Sequence, residues 1–127
     1  MIPYTQTSLG LEGNCLQTSI ECILEVPQGS LPAQRDYPLG GYLAPLSEYL
    51  RRMGLVYFDL PACRASFAAG GGAGWHVLTG PSVRTPQLGT LHSVVACGGR
   101  MVWDPHPSRQ GLTGATSWGV VARVEAA

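Results

Sequence analysis

The run Leu91–Trp103, LHSVVACGGRMVW, limits the folds open to this chain more than any other segment. An apolar stretch, a Gly-Gly pair and a second apolar stretch are the pattern of two antiparallel strands joined by a two-residue turn. Asp104-Pro105 follows and ends the second strand, because proline has no N–H to give to a sheet. Side chains alternate along the first strand, so His92 and Val94 fall on one face and Ser93 and Val95 on the other. In a hairpin, a residue early in one strand lies opposite a residue late in the next. The spacing therefore predicts that His92 and Asp104 are neighbours.

Upstream the period changes. In CLQTSIECILEV, Leu16, Ile20, Ile23 and Leu24 recur at helical spacing, which predicts a helix over Cys15–Val26 with one buried stripe. Asn14 is its expected N-cap, and Pro27 ends it. Residues 1–14 read as an irregular segment broken by Gly10 and Gly13, and residues 27–42 as a Pro- and Gly-rich surface loop. A second helix is expected over Leu43–Met53, with Pro45 in its first turn and Gly54 as its C-cap. Strands are expected at Leu55–Leu60, Trp75–Thr79 and Ser117–Val124, a short helix within Pro61–Ala69, and a flexible stretch at Gly70–Gly74. Helices first and antiparallel strands after is an α+β order. At 127 residues, one domain spanning 1–127 is expected.

Composition removes several function classes. The formal net charge is zero and the only adjacent basic pair is Arg51–Arg52, so binding to a phosphate backbone is not expected. No run approaches the roughly 18 apolar residues of a membrane span, so no membrane partner is expected. The first residues, MIPYTQTSLG, lack the basic and apolar regions of a secretory signal, which makes the cytoplasm the expected compartment. The four cysteines, Cys15, Cys22, Cys63 and Cys97, include no C-x-x-C pair. Disulfides are therefore the weaker reading, and no Cys/His set has the spacing of a metal site. GGGAG is not followed by Lys-Ser/Thr and is not a phosphate loop. No cofactor is expected, and the oligomeric state stays open.

What remains is thiol chemistry. A helix N-terminus favours a thiolate, because its unpaired backbone N–H groups attract negative charge. Cys15 stands there, and its own N–H would point toward a developing oxyanion. His92 is the candidate base, and Asp104 the group that fixes its imidazole. Cys22, Cys63 and Cys97 are expected to be small buried hydrophobes, with Cys22 roughly on the Cys15 side of the helix. His76 is expected in the sheet, and His106, between two prolines, in an exposed loop bordering Asp104.

GNCLQTSIECIL followed by HSVVACGGRMVWDP resembles the papain-like (clan CA) cysteine peptidases, and most of all those that process bacteriocin leaders. Asp-Pro-His-Pro-Ser after His-x-Val-Val is also similar to small uncharacterised proteins of bacteriophages and prophages. The resemblance covers residues 6–27 and 91–112, about a third of the chain. It implies a papain-like fold, a peptide or protein substrate, Cys15 as nucleophile, His92 as base and Asp104 as orienting acid. Gln6 matches the side-chain oxyanion donor, although it stands nine residues before Cys15 where the family usually has six. Asn14 or backbone groups alone are the alternatives to Gln6. A catalytically silent binding or phage structural protein on the same scaffold is the competing reading, and an acyltransferase or amidase a third.

Overall fold

The computed structural model describes residues 1–10, 13–37, 41–68, 70, 74–85 and 90–124. Its helices are α1 (Cys15–Leu24), α2 (Leu43–Arg52) and α3 (Arg64–Ala68). Its strands are β1 (Leu55–Pro61), β2 (Trp75–Pro81), β3 (Leu91–Cys97), β4 (Arg100–Trp103) and β5 (Ser117–Arg123). The helices pack on one antiparallel sheet of strand order β1-β5-β2-β3-β4, an α+β architecture. Of the flexible stretch expected at Gly70–Gly74, residues 71–73 lie outside the described residues.

β5 is the last strand in sequence, yet it sits between β1 and β2. It pairs with β1 over its whole length, from Leu55 opposite Arg123 to Pro61 opposite Ser117. The sheet has two covered faces. Ile20, Leu46 and Leu50 from α1 and α2 pack with Tyr57 and Val77 on one. On the other, Leu78, Val94, Ala96 and Trp118 form a smaller cluster, against which α3 lays Phe67 edge-on to Trp118 at 5.7 Å.

The expected hairpin is present, with Gly98 and Gly99 both at positive φ, as a turn matching the strand twist requires. A register shift between Val95 and Ala96 then changes its geometry. A regular ladder from the Cys97–Arg100 pair would place Val95 opposite Val102 and Ser93 opposite Asp104. Instead Val95 faces Trp103. One extra residue in β4 moves everything beyond it to the other face. Asp104 thereby joins the face of Val94 and His92.

α1 is shorter than its apolar pattern implies. Glu25 closes it in the left-handed conformation, two positions before Pro27, because a residue preceding proline is pushed out of the helical region. Asn14 occupies the N-cap position but makes no capping bond. Its Oδ1 accepts from the N–H groups of Thr7 and Ser8 at 3.1 and 3.0 Å, and its Nδ2 donates to Thr7 Oγ1 at 3.0 Å.

The segment 27–42 is also not the plain surface loop its composition suggests. Leu31 and Tyr42 belong to the core, and Gln34–Asp36 form a 3₁₀ turn. The fully buried Glu21 ties this segment to α1, its Oε2 accepting from the N–H groups of Gly29 and Leu31 at 2.9 and 3.0 Å. Gln17 and Gln34 exchange side-chain-to-backbone bonds at 3.0 and 2.9 Å. So the polar side of α1 is buried as fully as its apolar stripe. Among the described residues no helix is long and apolar enough to cross a membrane.

Removing the Glu21 carboxylate strands the buried Leu31 N–H and frees the partly buried Gly29 N–H. Glu21→Ala should cost about 3 kcal/mol in urea unfolding, whereas Glu21→Gln, which keeps an acceptor, should cost about half as much.

Candidate functional site

α1 delivers Cys15 to the open end of β3. β4 stops at Trp103, opposite Val95, so Leu91–Val94 run on without a β4 partner. There Ser93 turns its backbone toward α1. Its N–H favours the Cys15 thiolate, and its carbonyl accepts from Ser19 Oγ at 3.4 Å. The Leu16 N–H favours the thiolate too, since first-turn N–H groups have no acceptor inside the helix.

His92 joins two partners. Nε2 meets Asp104 Oδ1 at 2.7 Å, and the ring lies close enough to Cys15 for the two to stabilise each other's charge. With Nε2 taken by the carboxylate, the thiol faces Nδ1. Asp104 is itself fully engaged, Oδ1 also accepting from the His106 N–H at 2.9 Å and Oδ2 from the Gly111 N–H at 2.8 Å. An Asp before Pro commonly braces its own turn. Asp104 does that and holds His92 as well.

Burial opposes charge on all three groups. It pushes the Cys15 thiol up, but the hydrogen bond and positive charge of His92, with the Ser93 and Leu16 N–H groups, outweigh it and leave the thiol below its ordinary value. Burial pushes His92 down, yet the Asp104 and Cys15 hydrogen bonds and charges carry it up to about 9. Asp104 lies below the usual carboxylate range despite its burial, because His92, His106 and Gly111 all donate to it. The row favours imidazolium and carboxylate near neutral pH, and lets Cys15 become a thiolate at lower pH than an ordinary cysteine.

Gln6 reaches the same place. The extra length between it and Cys15 is taken up by a turn closed by Asn14, whose N–H donates to Ser8 O at 3.2 Å. The Gln6 Nε2 bonds Ser8 O at 2.8 Å and lies 3.5 Å from where a Cβ on Gly13 would stand. An amide nitrogen carries two hydrogens, so the second remains for a ligand. Asn14 is the poorer alternative, because it does not line the cavity that Gln6 and Cys15 share.

The segment leading to Gln6 is fastened to the Asp104 loop. Trp103 Nε1 donates to Tyr4 O at 2.7 Å, and Gln6 N to Pro105 O at 2.9 Å. Arg109 completes the joint. It lies 4.0 Å over the Trp103 ring, donates to Asp104 O and His106 O at 2.8 and 2.9 Å, and reaches Thr5 Oγ1 at 2.6 Å. Nothing in the motif PHPSRQ signals the link to the first residues, because Thr5 is 104 residues away.

Gln6, Cys15 and His92 line one cavity of about 600 Å³, together with Tyr57, Asp59 and Arg84. Those last three were not recognisable in the sequence, which carries no motif around them. Gly119, opposite Asp59, has no side chain, and the Tyr57 hydroxyl occupies that space while donating to Asp59 Oδ1 at 2.9 Å. His106 also borders the cavity, half-buried and edge-on to the His92 ring at 6.1 Å.

The other candidates lie elsewhere. His76 is buried under Trp118 and accepts from the Gly99 N–H at 3.1 Å. Cys22 is buried as expected, and burial pushes its thiol up to about 11. Cys63 and Cys97 are exposed, contrary to the reading of them as core residues. Cys63 precedes α3 at the surface, and Cys97 is the last residue of β3 before its turn. Cys63 is moreover held below the ordinary thiol value by hydrogen bonds from the Ser66 N–H and hydroxyl. Among the described residues no three His, Cys, Asp or Glu side chains cluster as a metal site would need.

No family model matches the chain, and no curated protein or solved structure matches it either.

With Cys63 and Cys97 replaced by Ala, iodoacetamide alkylation of Cys15 followed by mass spectrometry should stay fast at about pH 6 to 7, where an ordinary thiol is mostly protonated. A further change in rate should appear near pH 9, where His92 loses its proton. Asp104→Asn removes a group that raises His92, so this upper change should move to lower pH.

Proposed function

We propose that this chain is a papain-like cysteine hydrolase that cleaves a peptide or amide bond. The observation that carries the reading is the row Cys15–His92–Asp104 at the wall of an open cavity, with His92 bonded to Asp104 at 2.7 Å and near enough to Cys15 for each to favour the other's charged form. A core histidine that merely satisfies its hydrogen bonds needs no thiol at a helix N-terminus beside it. The α+β order, with the cysteine opening α1 and the histidine on a later strand, supports the papain-like assignment.

In the proposed reaction the Cys15 thiolate attacks the carbonyl carbon. The oxyanion is met by the Cys15 N–H and by the free hydrogen of Gln6 Nε2. His92 gives its Nδ1 proton to the leaving amine, and a thioester with Cys15 remains. Water then attacks, His92 taking its proton, and the acid departs with the thiolate–imidazolium pair restored. Asp104 keeps the ring oriented through both steps and stabilises its charge, while Arg109 and the Gly111 N–H hold Asp104.

The test is incubation with a defined peptide library and mass-spectrometric reading of new termini. Cys15→Ala should abolish cleavage. His92→Ala should slow it by about 10²–10⁴-fold, the range for loss of a general base. Gln6→Ala should slow it by about 10²-fold, through turnover more than binding. Cleavage that survives Cys15→Ala would overturn the reading.

A further inference from the structure

The cavity carries two opposite charges that the proposed reaction does not use. Arg84 and Asp59 both line it. Arg84 follows β2 on a backbone held at two points: Ser82 forms a bridge with Leu112, and the Val83 N–H donates to Gly111 O at 3.1 Å. The Arg84 N–H itself donates to Ser82 Oγ at 3.2 Å. The residue is therefore fixed in place.

Its side chain is incompletely satisfied. Nε is sealed from solvent and has no hydrogen-bond acceptor among the described residues. Nor does any described carboxylate stand within ion-pair distance of the guanidinium. A carboxylate oxygen is no smaller than water and does not reach that sealed atom; the terminal N–H groups, which are not sealed and bond no described acceptor, are the ones open to a ligand in the cavity. Asp59 does not supply an acceptor; its Oδ1 takes the Tyr57 hydroxyl.

We infer that Arg84 is a specificity residue that receives a substrate carboxylate in the cavity beside Cys15. The guanidinium fork matches the two oxygens of a carboxylate. Asp59, which lines the same cavity, repels such a group, so the pair orients an acidic substrate rather than merely attracting it. A peptide can offer this chemistry as an Asp or Glu side chain or as its C-terminal carboxylate. The inference rests on the assignment of Cys15 as nucleophile, and names the substrate class for it.

The experiment needs no known substrate. Three iodoacetyl probes are compared on protein with Cys63 and Cys97 replaced by Ala: neutral N-iodoacetylglycinamide, N-iodoacetylglycine with its terminal carboxylate, and the α-amide of N-iodoacetylaspartate with a side-chain carboxylate. In each, the Cys15 thiolate displaces iodide from the methylene carbon and an S–C bond forms. Rates are read by intact mass and expressed as the acid-to-neutral ratio within one protein, so a change in folding affects both terms alike. At least one acidic probe should react about tenfold faster than the neutral one, the worth of one charge-assisted hydrogen bond. Whichever acid is preferred identifies the source of the carboxylate. Arg84→Gln should bring the ratio to about one, and Asp59→Asn, which removes the like charge, should raise it. A parent ratio at or below one, or a ratio unmoved by both variants, would overturn the inference while leaving the nucleophile assignment intact. Failure of all three probes to alkylate Cys15 would overturn that assignment, and this inference with it.

Discussion

The hydrogen bond between His92 and Asp104 is the constraint on which the site depends. It spans a hairpin and is made only because β4 holds one residue more than a regular ladder allows. Without that bulge Asp104 would share a face with Ser93 rather than His92. The carboxylate would then be absent from the ring, and Cys15 alone would be left to hold the imidazole charged against its burial. The low thiol value of Cys15 follows in turn, since His92 is its largest favourable influence.

Around this bond the fold spends buried polar groups on position. Glu21, Asn14 and Arg109 each hold a segment that has little apolar content of its own. Such groups add little net stability compared with apolar packing. They do fix which segment lies where. Asn14 folds the chain back so that Gln6 faces the Cys15 cavity, and Arg109 links the Asp104 loop to the residues just before Gln6. The shortness of β4 matters equally. It leaves the Ser93 backbone unpaired on that side, and the start of α1 takes up its N–H and carbonyl.

Much of this was legible beforehand. The α+β order, the bounds of β3 and β4, and the starts of α1 and α2 follow from period, proline and glycine positions. So does the proximity of His92 and Asp104, although a regular hairpin drawn from the spacing would have put them on opposite faces. The Glu21 clamp was not legible, because a glutamate in a helix is ordinarily read as solvated. Nor were the exposed positions of Cys63 and Cys97 or the charges of Arg84 and Asp59 in the cavity.

The sequence by itself determined the local conformations and the residue types at the two ends of the site: a cysteine opening a helix and a histidine on an apolar strand. Those signals are short-range, written in periods of a few residues. Tertiary structure decided the rest. It placed β5 between β1 and β2, introduced the bulge that turns Asp104 toward His92, and brought Arg84 and Asp59 to one cavity. Each of these depends on packing between segments far apart in the chain, where no local pattern records the outcome.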